Sequence, residues 1–217
     1  MTRPGERGIV RGCCAGIALL IVLAAGVAFL GDRALAAPVL GAQPAGPAHG
    51  DTEVSIAVSL GTAMAAQLVA GSHGVVVLSE RDLTVLADAN NPQPARYRDL
   101  QVRVRDGLLV ASAQISFGPF TPTAVVHVSL SLQPGPNGPV IAAQVPEIDI
   151  GLLSVPSFLG SALVKEIDSA LSLDRLFSVD PRLTALRADI ECVAVVPDGV
   201  AVGVHDPGVP TVASSCG

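Results

Sequence analysis

The sequence predicts an α+β protein in which long antiparallel strands pack on one or two helices, behind an N-terminal transmembrane or signal helix. Three observations support this fold class: an uncharged apolar run near the amino terminus, an Asp-Gly dipeptide between two alternating segments, and two long strand patterns separated by a Pro/Gly-rich turn. The interior must be filled by Val, Leu, Ile and Ala, because the chain has no Trp, one Tyr and five Phe.

Residues 13–30 form the uncharged run and follow three arginines. A bilayer core is spanned by roughly twenty apolar helical residues, so this run can just cross it. The arginines favour a cytoplasmic amino terminus. Ala34-Leu35-Ala36 has the small-x-small pattern of a signal-peptidase site, so cleavage before Ala37 is an alternative to a retained anchor. Both alternatives place the following domain outside the cytoplasm.

Four segments follow from composition. Residues 1–36 are the cytoplasmic arginines with the anchor or signal peptide, and residues 37–50 are a linker rich in Pro and Gly. We expect one extracytoplasmic α+β domain over residues 51–205 and a flexible tail over residues 206–217. The domain is long enough to bury one sizeable core.

The exported part of the chain is acidic. The whole chain has 13 basic and 19 acidic residues, and removing the four basic and two acidic residues of the leader leaves 9 and 17, a net charge near −8. This balance argues against nucleic acid or bulk anionic membrane as an electrostatic partner, since both reward dense Lys and Arg. The scarcity of aromatic residues argues against recognition of sugars or bases by stacking.

The first elements of the domain are predicted from alternation and capping. Val54 to Leu60 alternates apolar and polar residues, which predicts a half-buried strand, and the Ala-rich stretch to Ala70 predicts a short helix. Ser79 and Asp82 have the spacing of a capping box, so we expect a helix to begin there and to end at Asn90-Asn91-Pro92.

Asp106-Gly107 predicts a two-residue hairpin loop with a type I′ turn. The resulting register pairs Arg105 with Leu108, Val104 with Leu109, and Val102 with Ala111. One face of the hairpin is then apolar: Val102, Val104, Leu109, Ala111, Ala113 and Ile115. The other face carries Gln101, Arg103, Arg105, Ser112 and Gln114.

Later segments predict two long strands, a helix and a second hairpin. Residues 123–133 alternate over eleven positions, and residues 140–150 return as a second long strand in which Pro146 indicates an edge or a bulge. Ser157 is the predicted N-cap of an amphipathic helix. Asp198-Gly199 predicts the last turn, between residues 186–196 and 200–205. Both faces of this hairpin are apolar, so it is either covered on both sides or lines an apolar ligand cavity.

The four cysteines form two groups. Cys13 and Cys14 begin the apolar run and are interpreted as small hydrophobic residues. Cys192 and Cys216 lie in the exported part, where a disulfide between them can form. Free or intermolecular thiols are the alternative.

No combination of residues predicts catalysis or a metal site. Glu147 and Asp149 share a strand face, but a glycosidase would hold two carboxyls across a cleft that is usually rich in aromatics, so we interpret both as solvated. His127 lies on the polar face of a strand and no histidine has metal-ligand spacing, so each is expected to be solvated or locally bonded. A basic group is formed by Arg96, Arg98, Arg103 and Arg105. It is either a solvated face or a seat for a lipid phosphate, which guanidinium groups bind bidentately.

The order of elements resembles a known group of proteins. Leu-Ser-Glu-Arg-Asp-Leu at residues 78–83 opens a helix, the Asp106-Gly107 hairpin follows, long strands lead into residues 148–156, and the last hairpin carries Pro197-Asp198-Gly199-Val200. Over roughly residues 75–205 this resembles bacterial membrane-anchored envelope proteins of the YpmS-like and LmeA-like phospholipid-binding group. The resemblance implies a tubular lipid-binding-like fold with a long, curled antiparallel sheet, and a groove that holds acyl chains without a catalyst or cofactor.

The resulting hypothesis is a membrane-tethered or exported bacterial envelope protein that binds membrane lipid, with lipid transfer or lipid homeostasis as its expected role. Its expected lipid-lining residues are Leu109, Ile115, Phe117, Phe120, Leu152, Leu153, Phe158 and Leu163. Ordinary core packing is the alternative for each of them. Two other functions stay open: an envelope scaffold that binds a protein partner, and a hydrolase, for which we identify neither nucleophile nor base.

Overall fold

The computed structural model describes residues 26, 29–31, 33, 40, 49–69, 74–91, 97–115, 121–135, 138–155, 173–204 and 216. The fold is α+β, with two antiparallel sheets and few helices. The helices are α1 (Glu53–Val69), α2 (Glu80–Ala89), α3 (Leu173–Val179) and α4 (Pro181–Leu186), and a 3-10 turn spans Arg187–Asp189. The strands are β1 (Gly74–Ser79), β2 (Tyr97–Arg105), β3 (Leu108–Ile115), β4 (Thr123–Gln133), β5 (Val140–Ile150), β6 (Leu153–Val155), β7 (Ile190–Val196) and β8 (Gly199–Val204).

The strands divide into a three-stranded sheet, in the order β1-β8-β7, and a five-stranded meander, β2-β3-β4-β5-β6. The expectation of one long, curled sheet is wrong for the described strands, since they form two sheets and neither is curled. Helix α2 explains why the larger sheet ends at β2. Its Thr84 Oγ1 and Glu80 Oε1 accept hydrogen bonds from the N–H groups of Val102 and Val104, at 3.0 and 2.7 Å. The outer edge of β2 therefore has partners that another strand would otherwise supply.

The predicted first strand is wrong, because residues 53–69 form helix α1. Ile56, Leu60 and Met64 recur every four residues and are fully buried, whereas Val54 and Val58 are exposed. The alternating pattern covers only seven residues. The Ala-rich continuation favours helix over the whole segment, and one helical face then reaches the core.

The helix that begins after Ser79 is confirmed. The Ser79 hydroxyl accepts from the Asp82 N–H, and the Asp82 carboxylate accepts from the Ser79 N–H, which together make a capping box. Leu83 and Leu86 are buried, and Asn90 is the C-cap.

The Asp106-Gly107 hairpin is also confirmed, and the predicted register holds from Arg105 to Gln101, beyond which a bulge shifts the pairing so that Arg98 faces Gln114. Asp106 and Gly107 have φ values of 52° and 74°, as a type I′ turn requires. On β5 a register shift falls opposite Val128, between the pairs His127–Glu147 and Ser129–Gln144. The two facing residues are Val145 and Pro146, so the bulge expected at Pro146 is present.

The last hairpin turns one residue earlier than predicted. Val196 pairs with Gly199, so the loop is Pro197-Asp198. A two-residue loop at Asp198-Gly199 would instead pair Pro197 with Val200, and proline has no N–H group to donate to such a pair. Strand β8 is the centre of its sheet, and its residues are buried along their whole length.

Cys192 in β7 is joined to Cys216 by a disulfide. Gly203 of β8 lies beneath the bond, where a Cβ atom would come 2.5 Å from the Cys192 sulfur and 3.1 Å from that of Cys216. The close approach of the two sulfur atoms therefore requires glycine at this position.

The hydrophobic core lies between the inner faces of the two sheets and the helices. It includes Ile56, Leu60 and Met64 of α1, Leu78, Val200 and Val202 of the smaller sheet, Val102, Leu109, Val126, Val128 and Ile148 of the larger sheet, and Leu176 and Leu183 of α3 and α4. Among the described residues no helix is long and apolar enough to span a bilayer. Most of residues 13–30, with Cys13 and Cys14, and the helix predicted after Ser157 lie outside those residues.

Candidate functional site

The candidate site lies on the face of the five-stranded sheet that points away from the core. Strand pairing places side chains on this face in rows across the sheet. One row runs Arg103, Val110, His127, Glu147. The next runs Gln101, Ser112, Val125, Asp149, Ser154. On this face, Arg103 therefore lies at the β2 edge, and Val110 and Val125 lie in the middle. A histidine and two carboxylates lie toward the β4–β6 edge.

A groove of about 360 Å³ lies over the middle of these rows. Val110 and Val125 form its floor and are only 2% and 4% exposed, although they lie on the outer face. Leu40 and Leu152 provide further apolar lining. Small-molecule sites usually measure roughly 300–1,000 Å³, so the groove is at the lower end of that range.

Residues that precede the domain contact this site. The Leu152 N–H donates to the Arg33 carbonyl at 2.8 Å, and the Arg105 guanidinium donates to the Leu40 carbonyl at 2.9 Å. Arg33 is helical and its guanidinium lies 5.2 Å from the Phe29 ring centre. Leu40 therefore lines the groove, and Arg33 contacts its lining residue Leu152.

The polar end of the groove is formed by His127, Asp149 and Ser154, with Glu147 beside them. His127 Nε2 is 3.3 Å from Asp149 Oδ2. Ser154 Oγ is 2.6 Å from both Glu147 Oε1 and Asp149 Oδ1. A serine hydroxyl has one proton to donate, so it satisfies only one of these two close carboxylate oxygens. The hydroxyl is thus shared by two acceptors.

The arginines of the predicted headgroup seat have different settings. Arg105 is half exposed at the groove and is 3.6 Å from Glu80. Arg98 is exposed on the same face of β2. Arg103 is only 1% exposed and donates to the Val102 carbonyl and to Gln101, so its expected role as an accessible headgroup contact is wrong. Burial lowers the pKa of Arg103, and the nearby Glu80 carboxylate opposes that shift. Arg96 lies outside the described residues.

The predicted lipid-lining residues are likewise distributed over different environments. Leu152 lines the groove and is 52% exposed. Leu109 is part of the core, on the opposite side of the sheet, so it does not line this groove. Ile115 and Leu153 are partly buried on β3 and β6. Phe117, Phe120, Phe158 and Leu163 lie outside the described residues.

Sequence reasoning missed the groove floor and the cluster beside it. Val110 and Val125 lie at positions where the alternation of β3 and β4 puts polar residues, and these two exceptions were the available signal. His127 and Asp149 come together through the pairing of β4 with β5, which the pattern of either strand alone does not specify.

A second histidine–aspartate pair lies at the start of α2. The Asp82 carboxylate accepts from the His49 backbone N–H at 2.8 Å, and also from the Ser79 N–H and hydroxyl. It lies 2.9 Å from His49 Nδ1. Burial alone would raise the pKa of Asp82, but the hydrogen bonds from His49 and Ser79 outweigh burial and hold this pKa below its ordinary value. These hydrogen bonds hold His49 against the N-terminal end of α2.

Comparison with protein-family models, with curated proteins and with solved structures finds no match to this chain.

Proposed function

We propose that this chain is an extracytoplasmic lipid-binding protein of the bacterial envelope, which holds a phospholipid acyl chain in the groove of the five-stranded sheet. The supporting observation is the buried valine floor, Val110 and Val125, on a sheet face whose other side already packs on the core. An antiparallel sheet usually leaves one face in solvent, so buried apolar residues on both faces indicate that each face is covered by protein or by a ligand. Burial of an acyl chain is worth about 0.8 kcal/mol per methylene, so affinity requires no catalytic group.

Charge at the groove is consistent with an anionic headgroup. Arg105 lies at the groove and is half exposed, and a guanidinium has five N–H donors, of which two are given to the carbonyls of Val104 and Leu40. Arg98 lies exposed on the same face. The headgroup would lie toward β2, away from the carboxylates of β5, because like charges repel.

The location of the groove supports a membrane address. Leu40 lines it and the Arg33 carbonyl accepts from Leu152, so residues directly after the apolar run lie beside the opening. A retained anchor over residues 13–30 would hold the groove close to the bilayer surface, whereas cleavage before Ala37 would remove Arg33. We favour retention, because that hydrogen bond is then kept.

The test uses the full-length protein reconstituted in phosphatidylglycerol vesicles that contain a phospholipid with a photoreactive acyl chain. After irradiation, peptide mass spectrometry locates the crosslinks. We expect crosslinks near Val110, Val125 and Leu152, in addition to those of the N-terminal segment. Leu152→Asp should reduce the groove crosslinks at least tenfold and leave the N-terminal ones unchanged.

Val54→Asp is the matched control, since Val54 is 60% exposed, similar to Leu152, but lies on α1. Crosslinks confined to the N-terminal segment, or equal losses in both variants, would contradict lipid binding in the groove. An empty groove would favour the alternative of an envelope scaffold with a protein partner.

A further inference from the structure

We infer that His127, Glu147 and Asp149 form a binding site for a divalent transition-metal ion of the Zn²⁺ type. Their ligand atoms, one imidazole nitrogen and two carboxylate oxygens, all lie within 4.8 Å of one another. This site is a separate function from lipid binding and does not depend on it.

The backbone fixes the arrangement of the three residues. His127 on β4 pairs directly with Glu147 on β5, and Asp149 follows two residues later on the same face. The bulge at Val145-Pro146 sets this register, because the pairing on its far side is shifted by one residue. The three ligands therefore come from two adjacent hydrogen-bonded strands, which are more rigid supports than loops.

In the described part of the chain, no Arg or Lys forms an ion pair with Glu147 or Asp149. Among the described ion pairs, Asp149 has only His127, and Glu147 has no Arg or Lys partner. Both carboxylates instead approach the same Ser154 hydroxyl at 2.6 Å, which can donate to only one of them. A divalent ion bound by both carboxylates would neutralise their charge and remove the repulsion between them.

The chemistry of the ligands selects the ion class. Ca²⁺ and Mg²⁺ prefer oxygen ligands alone, whereas Zn²⁺ takes imidazole nitrogen and carboxylate oxygen together. Two ligands at about 2.1 Å from a tetrahedral ion are about 3.4 Å apart. His127 Nε2 and Asp149 Oδ2 already lie 3.3 Å apart, so the Glu147 carboxylate is the group that must approach, by roughly 1.4 Å at most. Glu147 is exposed and can move by that amount. Three protein ligands leave one position open, and His127 and Asp149 also line the groove.

The experiment is calorimetric titration of Zn²⁺ into the full-length, untagged protein after chelator treatment, at neutral pH. We expect one equivalent to bind at this site, and His127→Gln, Glu147→Gln and Asp149→Asn each to weaken binding at least tenfold. Asp106→Asn is the matched control, since Asp106 is an exposed carboxylate in the hairpin loop of the same sheet. It should bind Zn²⁺ as the wild type does.

Absence of Zn²⁺ binding in the wild type would overturn the inference. Binding that the three variants leave intact would also overturn it, since the ion would then lie elsewhere. Circular dichroism verifies that each variant is folded. If His127→Gln unfolds the protein, the exposed Glu147→Gln variant decides the result.

Discussion

Two histidine–aspartate pairs in this protein use the same residue types in opposite settings. At the start of α2, Asp82 is fully buried and its carboxylate accepts hydrogen bonds from both the backbone and side chain of Ser79 and from the His49 backbone, with His49 Nδ1 also close. On the five-stranded sheet, Asp149 is 24% exposed, is 3.3 Å from His127, and shares a single hydroxyl with Glu147. The first carboxylate accepts hydrogen bonds from several buried donors, whereas the second shares one described hydroxyl donor with Glu147.

The difference teaches how to separate a structural pair from a binding pair. A buried carboxylate with several donors is positioned by the fold and stabilises it in return. A carboxylate that competes with a neighbour for one proton does not gain comparable stability from the fold. We therefore assign the Asp82 pair to stability and the Asp149 pair to ligand binding.

The largest expected effect comes from Asp82→Asn. The amide keeps one acceptor oxygen where the carboxylate has two. Its NH2 group therefore faces either the His49 N–H or the donors of Ser79, and that side loses its acceptor, while the Ser79 hydroxyl still accepts from the residue 82 N–H. A buried donor that loses its acceptor costs about 1–3 kcal/mol, so we expect the free energy of unfolding to fall by about 2 kcal/mol. Chemical denaturation followed by circular dichroism measures this change. A loss below about 1 kcal/mol would remove the structural role of this pair.

We expect a smaller effect of low pH on the stability that Asp82 contributes. The pKa of Asp82 is lower in the folded protein than its ordinary value, so ionisation of this group stabilises the fold above the unfolded pKa, near 4. This contribution is lost as the pH falls through the folded pKa. The stability difference between the wild type and Asp82→Asn should therefore be constant from pH 7 to about 5 and decrease below that range. A difference that grows on acidification would contradict this assignment.

Local signals in the sequence were sufficient to predict elements whose defining contacts join residues only a few positions apart. The capping box of Ser79 with Asp82 and the Asp106-Gly107 turn each specify their own geometry, and both are confirmed. Pro146 indicated an edge or a bulge, and a bulge is present at Val145-Pro146. In these cases the residue that gives the signal also makes the contact.

Features that depend on distant segments were not predictable in this way. The alternation of Val54 to Leu60 fits a strand as well as one side of a helix, and packing of Ile56 and Leu60 in the core decided for the helix. Arg103 is buried where the hairpin pattern alone placed it on a polar face. The contact of Leu40 with Arg105 joins residues 65 positions apart, which no local pattern encodes.

The smallest expected effect is that of Asp149→Asn on stability. Measured in the presence of a chelator, this substitution removes one of two neighbouring negative charges and leaves an amide that can still bond to Ser154. Like charges at this distance near a surface cost a few tenths of a kcal/mol, so we expect the free energy of unfolding to rise by that amount or to stay unchanged. Chemical denaturation of Asp149→Asn, in parallel with the Asp106→Asn control, measures the difference. A loss above about 1 kcal/mol would mean that the fold depends on this carboxylate as it does on Asp82, and the distinction between the two pairs would then fail.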